Sequence, residues 1–173
     1  MVQIEKLLPF ILKWEGGYVN DPLDLGGATN MGVTLDTWKA LGEDKNGDGI
    51  IDEEDIRELT RRDFSLVLQE YWNRWQGDRI RSQSLANLLV DWVWCSGKYG
   101  ITIPQQLLGV KPDGVVGRVT LEALNNYPDS QQLFEKIKQA RVDYIERICR
   151  SRPANMRFRK GWLRRIDEIT YQV

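Results

Sequence analysis

Three features of the sequence predict a mainly α-helical fold with one small loop or hairpin. Apolar residues recur at three- and four-residue intervals in two stretches. The segment from Leu85 to Cys95 is apolar on nearly every side, as a central buried helix would be. Outside residues 18–34, no strand-length alternation competes with these patterns. At 173 residues the chain can form one domain, or a lobe plus a small appended one, and can bury a core without covalent staples.

The elements follow in order. Ile4, Leu7, Leu8, Ile11 and Leu12 mark an amphipathic helix ending near Trp14-Glu15, with Pro9 either kinking it or sitting in its first turn. Gly16-Gly17 stops it, and residues 16–34, with five glycines, read as a loop or short hairpin. Thr34 is an N-cap for a short helix from Leu35 to Leu41. After an acidic stretch, Phe64, Val67, Leu68, Tyr71 and Trp72 form one stripe of a helix that starts from Thr60. Beyond the central helix, a short helix is expected around Pro104 to Leu108. Further helices are expected at Arg118–Asn125, Gln131–Cys149 and Lys160–Tyr171. No repeat of 20–50 residues is evident.

Composition prunes the chemistry. Lys and Arg number 24 against 25 Asp and Glu, a net charge of −1, so no global field points to nucleic acid or to membrane. The absence of histidine removes Ser-His-Asp and Cys-His catalysis and every His-ligated zinc site. Cys95 and Cys149 make no CxxC pair and are expected as buried small hydrophobes, with a single disulfide as the alternative. Acid–base work therefore falls to carboxylates, Tyr, Lys or Cys. The apolar run Leu7 to Leu12 is broken by Pro9 and is too short for a signal core or a membrane span. The expectation is synthesis in the cytoplasm without a clear signal peptide and no membrane insertion.

Residues 44–55 fit a twelve-residue calcium loop. Asp44, Asn46 and Asp48 stand at positions one, three and five, and Gly49 falls at the sharp turn. Ile50 would offer its carbonyl, Asp52 could hold a water, and Asp55 stands at position twelve, where a longer Glu is usual. The expected cofactor is a structural Ca2+. The alternative is a metal-free Asx-rich turn capping the helix that begins at Glu53. A solitary loop argues for a staple rather than a switch.

The densest site candidate runs from Glu15 to Thr29. It sets one carboxylate at a helix end beside Trp14 and two more, Asp21 and Asp24, in a glycine-rich loop. Cleavage of a glycosidic bond uses that asymmetry: one carboxyl stays protonated for the leaving oxygen and another stays ionised. By spacing alone, two acids in a loop are usually solvated or capping residues. Tyr18, Trp72, Trp75 and Tyr99 are candidate sugar-stacking faces, with core packing as the alternative. Nine basic residues between Arg141 and Arg165 read either as a solvated face or as an attractor for an anionic wall polymer.

The segment Glu15-Gly16-Gly17-Tyr18, Asn20-Asp21-Pro22, Asp24, Gly26-Gly27, Thr29 and Gly32-Val33-Thr34 resembles the signature of glycoside hydrolase family 108. These are bacterial N-acetylmuramidases that include secretion activators and typhoid-toxin secretion muramidases. Asp91 to Gly97 is similar to that family's buried Asp-containing helix end, with Cys95 where Asn is common. Asp113-Gly114, Gly117 and Thr120, together with Phe158, Gly161-Trp162 and Arg165, resemble its carboxy-terminal predicted peptidoglycan-binding region. A weaker likeness exists to phage-type lysozymes.

The resemblance implies a lysozyme-like helical fold whose hairpin lies at the active site. It implies a catalytic muramidase lobe over 1–95, carrying the 44–55 loop as an insertion, and a helical peptidoglycan-binding region over 96–173. Glu15 becomes the catalytic acid, with Asp24 and Thr29 as its catalytic partners and Asp21 as a competitor for the second role. Tyr18, Asn20 and Asp21 become substrate contacts. The expected partner is peptidoglycan, reached in the periplasm or cell wall through a holin-like pore or at lysis, with no nucleic acid and a monomeric chain. The alternatives are a wall-binding or export-accessory protein without turnover, and a calcium-regulated interaction module.

Overall fold

The computed structural model describes residues 2–18 and 28–172. It is mainly helical with one two-stranded hairpin, as the sequence predicts. The chain divides into two compact units, one comprising Glu5–Glu70 and the other Met1–Ile4 with Tyr71–Val173. This packing boundary is separate from the functional boundary expected at 95/96.

In the smaller unit, α1 spans Leu8–Trp14 after a 3-10 turn at Ile4–Lys6, and Pro9 lies in its first turn, where a missing N–H costs nothing. The strands β1 (Thr29–Asn30) and β2 (Val33–Thr34) pair antiparallel, Thr29 opposite Thr34 and Asn30 opposite Val33. Helix α2 is Leu35–Leu41, and the Thr34 hydroxyl accepts the Thr37 amide at 3.2 Å, the expected cap. Helix α3 is the five-residue Glu53–Arg57. Leu7, Ile11, Val33, Trp38, Ile56 and Phe64 are buried.

Helix α4, Arg61–Arg74, begins in the first unit and ends in the second. Its start is a reciprocal cap: the Thr60 amide donates to Asp63 at 2.8 Å, and the Asp63 amide donates back to the Thr60 hydroxyl at 3.3 Å. In the larger unit, α5 (Gln83–Ser96) is buried almost continuously from Ser84 to Val93. The same unit holds α6 (Tyr99–Leu107), α7 (Arg118–Asn125), α8 (Ser130–Ser151) and α9 (Met156–Glu168), with α6 and α8 packed against α5. Gly100 packs so closely on α5 that a Cβ there would lie 2.5 Å from the Val93 nitrogen.

Two boundaries differ from expectation. Helix α6 begins at Tyr99, well before Pro104, which lies inside it. Proline removes the amide that would bond the Gly100 carbonyl; the Trp75 indole N–H donates to that carbonyl instead, at 3.2 Å. Helix α9 begins at Met156 rather than Lys160 and stops at Glu168, because a 3-10 turn at Pro153–Asn155 feeds directly into it. No helix among the described residues is long and apolar enough to cross a membrane.

Candidate active site

Helix α1 hands the chain to Glu15, whose amide still bonds the Ile11 carbonyl at 3.0 Å while its backbone turns extended. Ile11, one turn back, is fully buried, and Trp14 and Glu15 are half-buried. The carboxyl is therefore neither sealed in the interior nor fully solvated.

The seat of this carboxyl is the hairpin turn. Met31 and Gly32 both have positive φ, at 50° and 76°, the pattern of a two-residue primed turn. A Cβ on Gly32 would lie 2.2 Å from Glu15 Oε2 and 2.5 Å from its Cδ, so the bare glycine backbone forms one wall of the carboxyl's pocket. Two further bonds fix the turn. The Met31 amide donates to the Gly16 carbonyl at 3.1 Å. The Asn30 amide group, 9% exposed, donates to the Ile56 carbonyl at 2.9 Å at the end of α3. Thr29 is half-buried on β1 of the same hairpin.

Tyr18 is half-buried, and the Arg57 guanidinium lies over its ring, Cζ 4.8 Å from the centroid. The contact is to the π face, and the buried phenol oxygen has no hydrogen-bond partner. Asn20, Asp21 and Asp24 lie outside the described residues. Sequence reasoning gave no role to Asn30 or Arg57, and it included Gly32 only as part of a motif. Arg57 carries no sequence signal. Gly32 could have been read as a turn glycine, although Met31 before it is not a residue that signals a primed turn.

In the 44–55 loop, oxygen side chains hold the loop's own amides. Asp44 accepts from Gly47 and Gly49, each at 2.6 Å, and Asp48 accepts from Ile50 at 2.8 Å. The Asn46 side chain accepts the Asp48 amide at 3.0 Å, and Asp52 accepts the Glu54 amide at 2.8 Å. Asp55 is fully buried: one oxygen accepts Lys45 at 2.6 Å, and the other accepts Asp52 at 2.8 Å. The Asp52 amide above all, aided by Lys45 and Asn46, holds the Asp55 carboxyl below its ordinary value against the opposing effect of burial. Beside it, burial pushes Asp63 up, but the Thr60 amide and the Lys45 ammonium (2.9 Å) outweigh that and keep it low. Among the described residues, no three Asp, Glu, Cys or His side chains gather as a metal-holding group.

The aromatic candidates separate. Trp72 and Trp75 are core residues, 1% and 0% exposed, with their indole N–H groups on Asp78 and the Gly100 carbonyl. Tyr99 is 45% exposed. The cysteines form no disulfide; Cys149 is buried as expected, but Cys95 is exposed, near the end of α5.

The motif at 113–120 is organised by Gln105, which is fully buried. Its carboxamide accepts the Gly114 amide at 2.9 Å and donates to the Val115 carbonyl, the Asp113 carboxylate and the Thr120 hydroxyl. Two members of the basic stretch are also buried. Arg165 donates to Asp91 Oδ1 at 2.8 Å, and Arg141 lies 2.7 Å from Asp91 Oδ2. Arg159 is spent on Glu146.

Comparison with known proteins agrees with this layout. A profile described as glycosyl hydrolase 108 matches residues 8–97, and one described as a predicted peptidoglycan domain matches residues 99–167. A solved structure of Brucella abortus SagA superposes with a TM-score of 0.79 at 29% identity, covering 95% of this chain and 90% of that one. No curated protein matches the sequence significantly. Since the first profile spans more than half of its length, the chain belongs to the glycosyl hydrolase 108 family and carries a predicted peptidoglycan domain after the hydrolase segment.

Proposed function

We propose that the chain hydrolyses the β-1,4 bond between N-acetylmuramic acid and N-acetylglucosamine in peptidoglycan, with Glu15 as general acid. One observation carries the reading: Glu15 is a half-buried residue at a helix end, its carboxyl seated against the Gly32 backbone of a hairpin bonded to Gly16, just past α1, and to α3. A proton donor needs that partial desolvation and that fixed direction. Asp24 supplies the ionised partner, with Asp21 as the competing residue, and Thr29 assists from β1. Tyr18, Asn20 and Asp21 contact the glycan. Residues 1–95 act as the hydrolytic lobe and 96–173 as the wall-binding region, a division supported by the place where the two family profiles meet.

The test is clearing of purified cell walls by the protein and by Glu15→Gln. Loss of general acid–base help should cost about 10²–10⁴-fold in rate. Equal clearing by both ends the assignment. Retention on insoluble walls with no release of reducing sugar favours a binding protein without turnover.

Calcium belongs to the same proposal as a staple of the loop. Asp44, Asn46, Asp48, Asp52, Asp55 and the Ile50 carbonyl would hold it, and the support is the order of oxygen donors with Gly47 and Gly49 at positive φ. The loop already stands on its own amide bonds, so the ion adds stability rather than shape. A melting temperature unchanged between calcium and chelator overturns this part.

A further inference from the structure

A cavity of about 420 Å³ lies in the larger unit, between residues 79–81 and one face of α7. Arg79, Arg81 and Arg118 line it, together with Glu122, Asn125 and Asn126.

The backbone brings the three arginines together. A 3-10 turn at Gly77–Arg79 gives way to extended backbone at Ile80, whose side chain is 2% exposed. Side chains alternate along extended chain, so burying Ile80 sends Arg79 and Arg81 outward on the same side. On α7, positions 118, 122 and 125 recur at helical spacing and share a face. Asn125 fastens the two pieces. Its side-chain oxygen accepts the Arg81 amide at 2.9 Å, and its side-chain nitrogen donates to the Arg79 carbonyl at 2.8 Å.

Two of the guanidiniums are aimed by neutral acceptors. Arg79 Nη1 donates to the Gln76 side chain at 2.6 Å. Arg81 Nη1 donates to the Asn125 carbonyl at 3.2 Å and to the Asn126 side chain at 3.3 Å. These bonds give direction without cancelling charge. Arg118 does meet an acid, Glu122 at 2.6 Å, but the two side chains are 84% and 54% exposed, where an ion pair is weak. Asp78, beside Arg79 in the chain, accepts the Trp72 indole N–H and does not line the cavity. The lining thus sets three cations against one acid.

The same lining narrows the ligand. None of the lining residues is aromatic, so the cavity offers no platform for a sugar ring. A guanidinium has five N–H donors in a planar fork, more than these bonds use, and the fork matches a planar carboxylate. Three such groups on two walls suit a chain with more than one carboxylate.

We propose that this cavity docks the carboxylate-bearing stem peptides of peptidoglycan. The choice of peptide rests on the wall-hydrolase reading, and the α7 wall lies within the segment matched by the predicted peptidoglycan domain. The arginines of the larger unit hold the peptide, while the Glu15 site of the smaller unit cuts the glycan.

The test titrates the full chain with a free tetrapeptide stem and with the same peptide amidated at every carboxyl. The free peptide should bind, and amidation should weaken it at least tenfold. The double variant Arg79→Ala, Arg81→Ala should weaken the free peptide by a similar factor. Arg118→Ala, on the other wall, should weaken it independently, which covers the case of a double variant that melts early. Equal binding of both peptides, binding of neither, or full affinity in the variants overturns the proposal. Inorganic phosphate that displaces the peptide at equal concentration shows a site for any oxyanion and overturns the peptide assignment. Wall clearing by the wild-type protein is read separately. Clearing without peptide binding sinks the cavity and spares the muramidase, whereas peptide binding without clearing does the reverse.

Discussion

Gly32 and Glu15 are in a contact that admits no side chain: a methyl group on the glycine would fall 2.2 Å from the carboxyl oxygen. The turn thereby fixes both the place and the direction of the proposed acid.

Gly32→Ala is expected to keep the fold and lose the activity. An L side chain at φ of 76° costs about 1–2 kcal/mol. The larger effect is displacement of the carboxyl, and a misplacement of about 1 Å can cost 10²-fold in rate. Wall clearing alongside thermal melting checks it; full activity in Gly32→Ala removes the turn from the site.

Asp55 and Asp63 predict an acid limb in the stability profile. Both have folded values below the ordinary 3.8, so their contribution is complete above that value and is lost as pH falls through the lower folded values. The melting temperature should hold steady near neutrality and drop below about pH 4. Asp55→Asn should flatten that limb, and an unchanged limb in the variant refutes the loop bonds as its origin.

Gln105→Ala removes the group that satisfies the Gly114 amide and the Val115 carbonyl. These bonds are only part-buried, so each one lost costs about 0.5–1.5 kcal/mol. Denaturant unfolding should show that loss, and the Gly114 amide should exchange faster in the variant. Protection equal to wild type contradicts the role assigned to Gln105.

Asp91→Ala should be severe, because it removes the buried carboxylate that two buried guanidiniums share. Breaking a buried ionic cluster on one side typically costs about 3–5 kcal/mol. The triple replacement of Asp91, Arg141 and Arg165 by apolar residues should recover much of this. A single variant as stable as wild type shows that water, not Asp91, compensates the arginines.

The local part of the structure was legible in the sequence. Thr34 before Leu35–Leu41, Thr60 before α4, and the all-round apolar α5 each encode their role within one or two turns. Glu15 at its helix end was legible for the same reason. What escaped depends on distant partners. Trp75 supports α6 across Pro104 from 25 residues away, and Asp91 buries two arginines read as a surface feature. Trp72 and Trp75 read as core residues with sugar stacking as the rival, and their burial places them in the core. The seat of Glu15 on Gly32 is a through-space fact, and no periodicity carries it.

Methionine is a poor choice for a left-handed turn position, and a two-stranded hairpin this short is marginal in isolation. The hairpin therefore owes its existence to what it touches, the Gly16 carbonyl on one side and the Ile56 carbonyl on the other. Folding of α1 and α3 must precede or accompany it. A nascent or partly melted chain then lacks the seat of Glu15, so the proposed cleavage is expected only once the surrounding unit is complete.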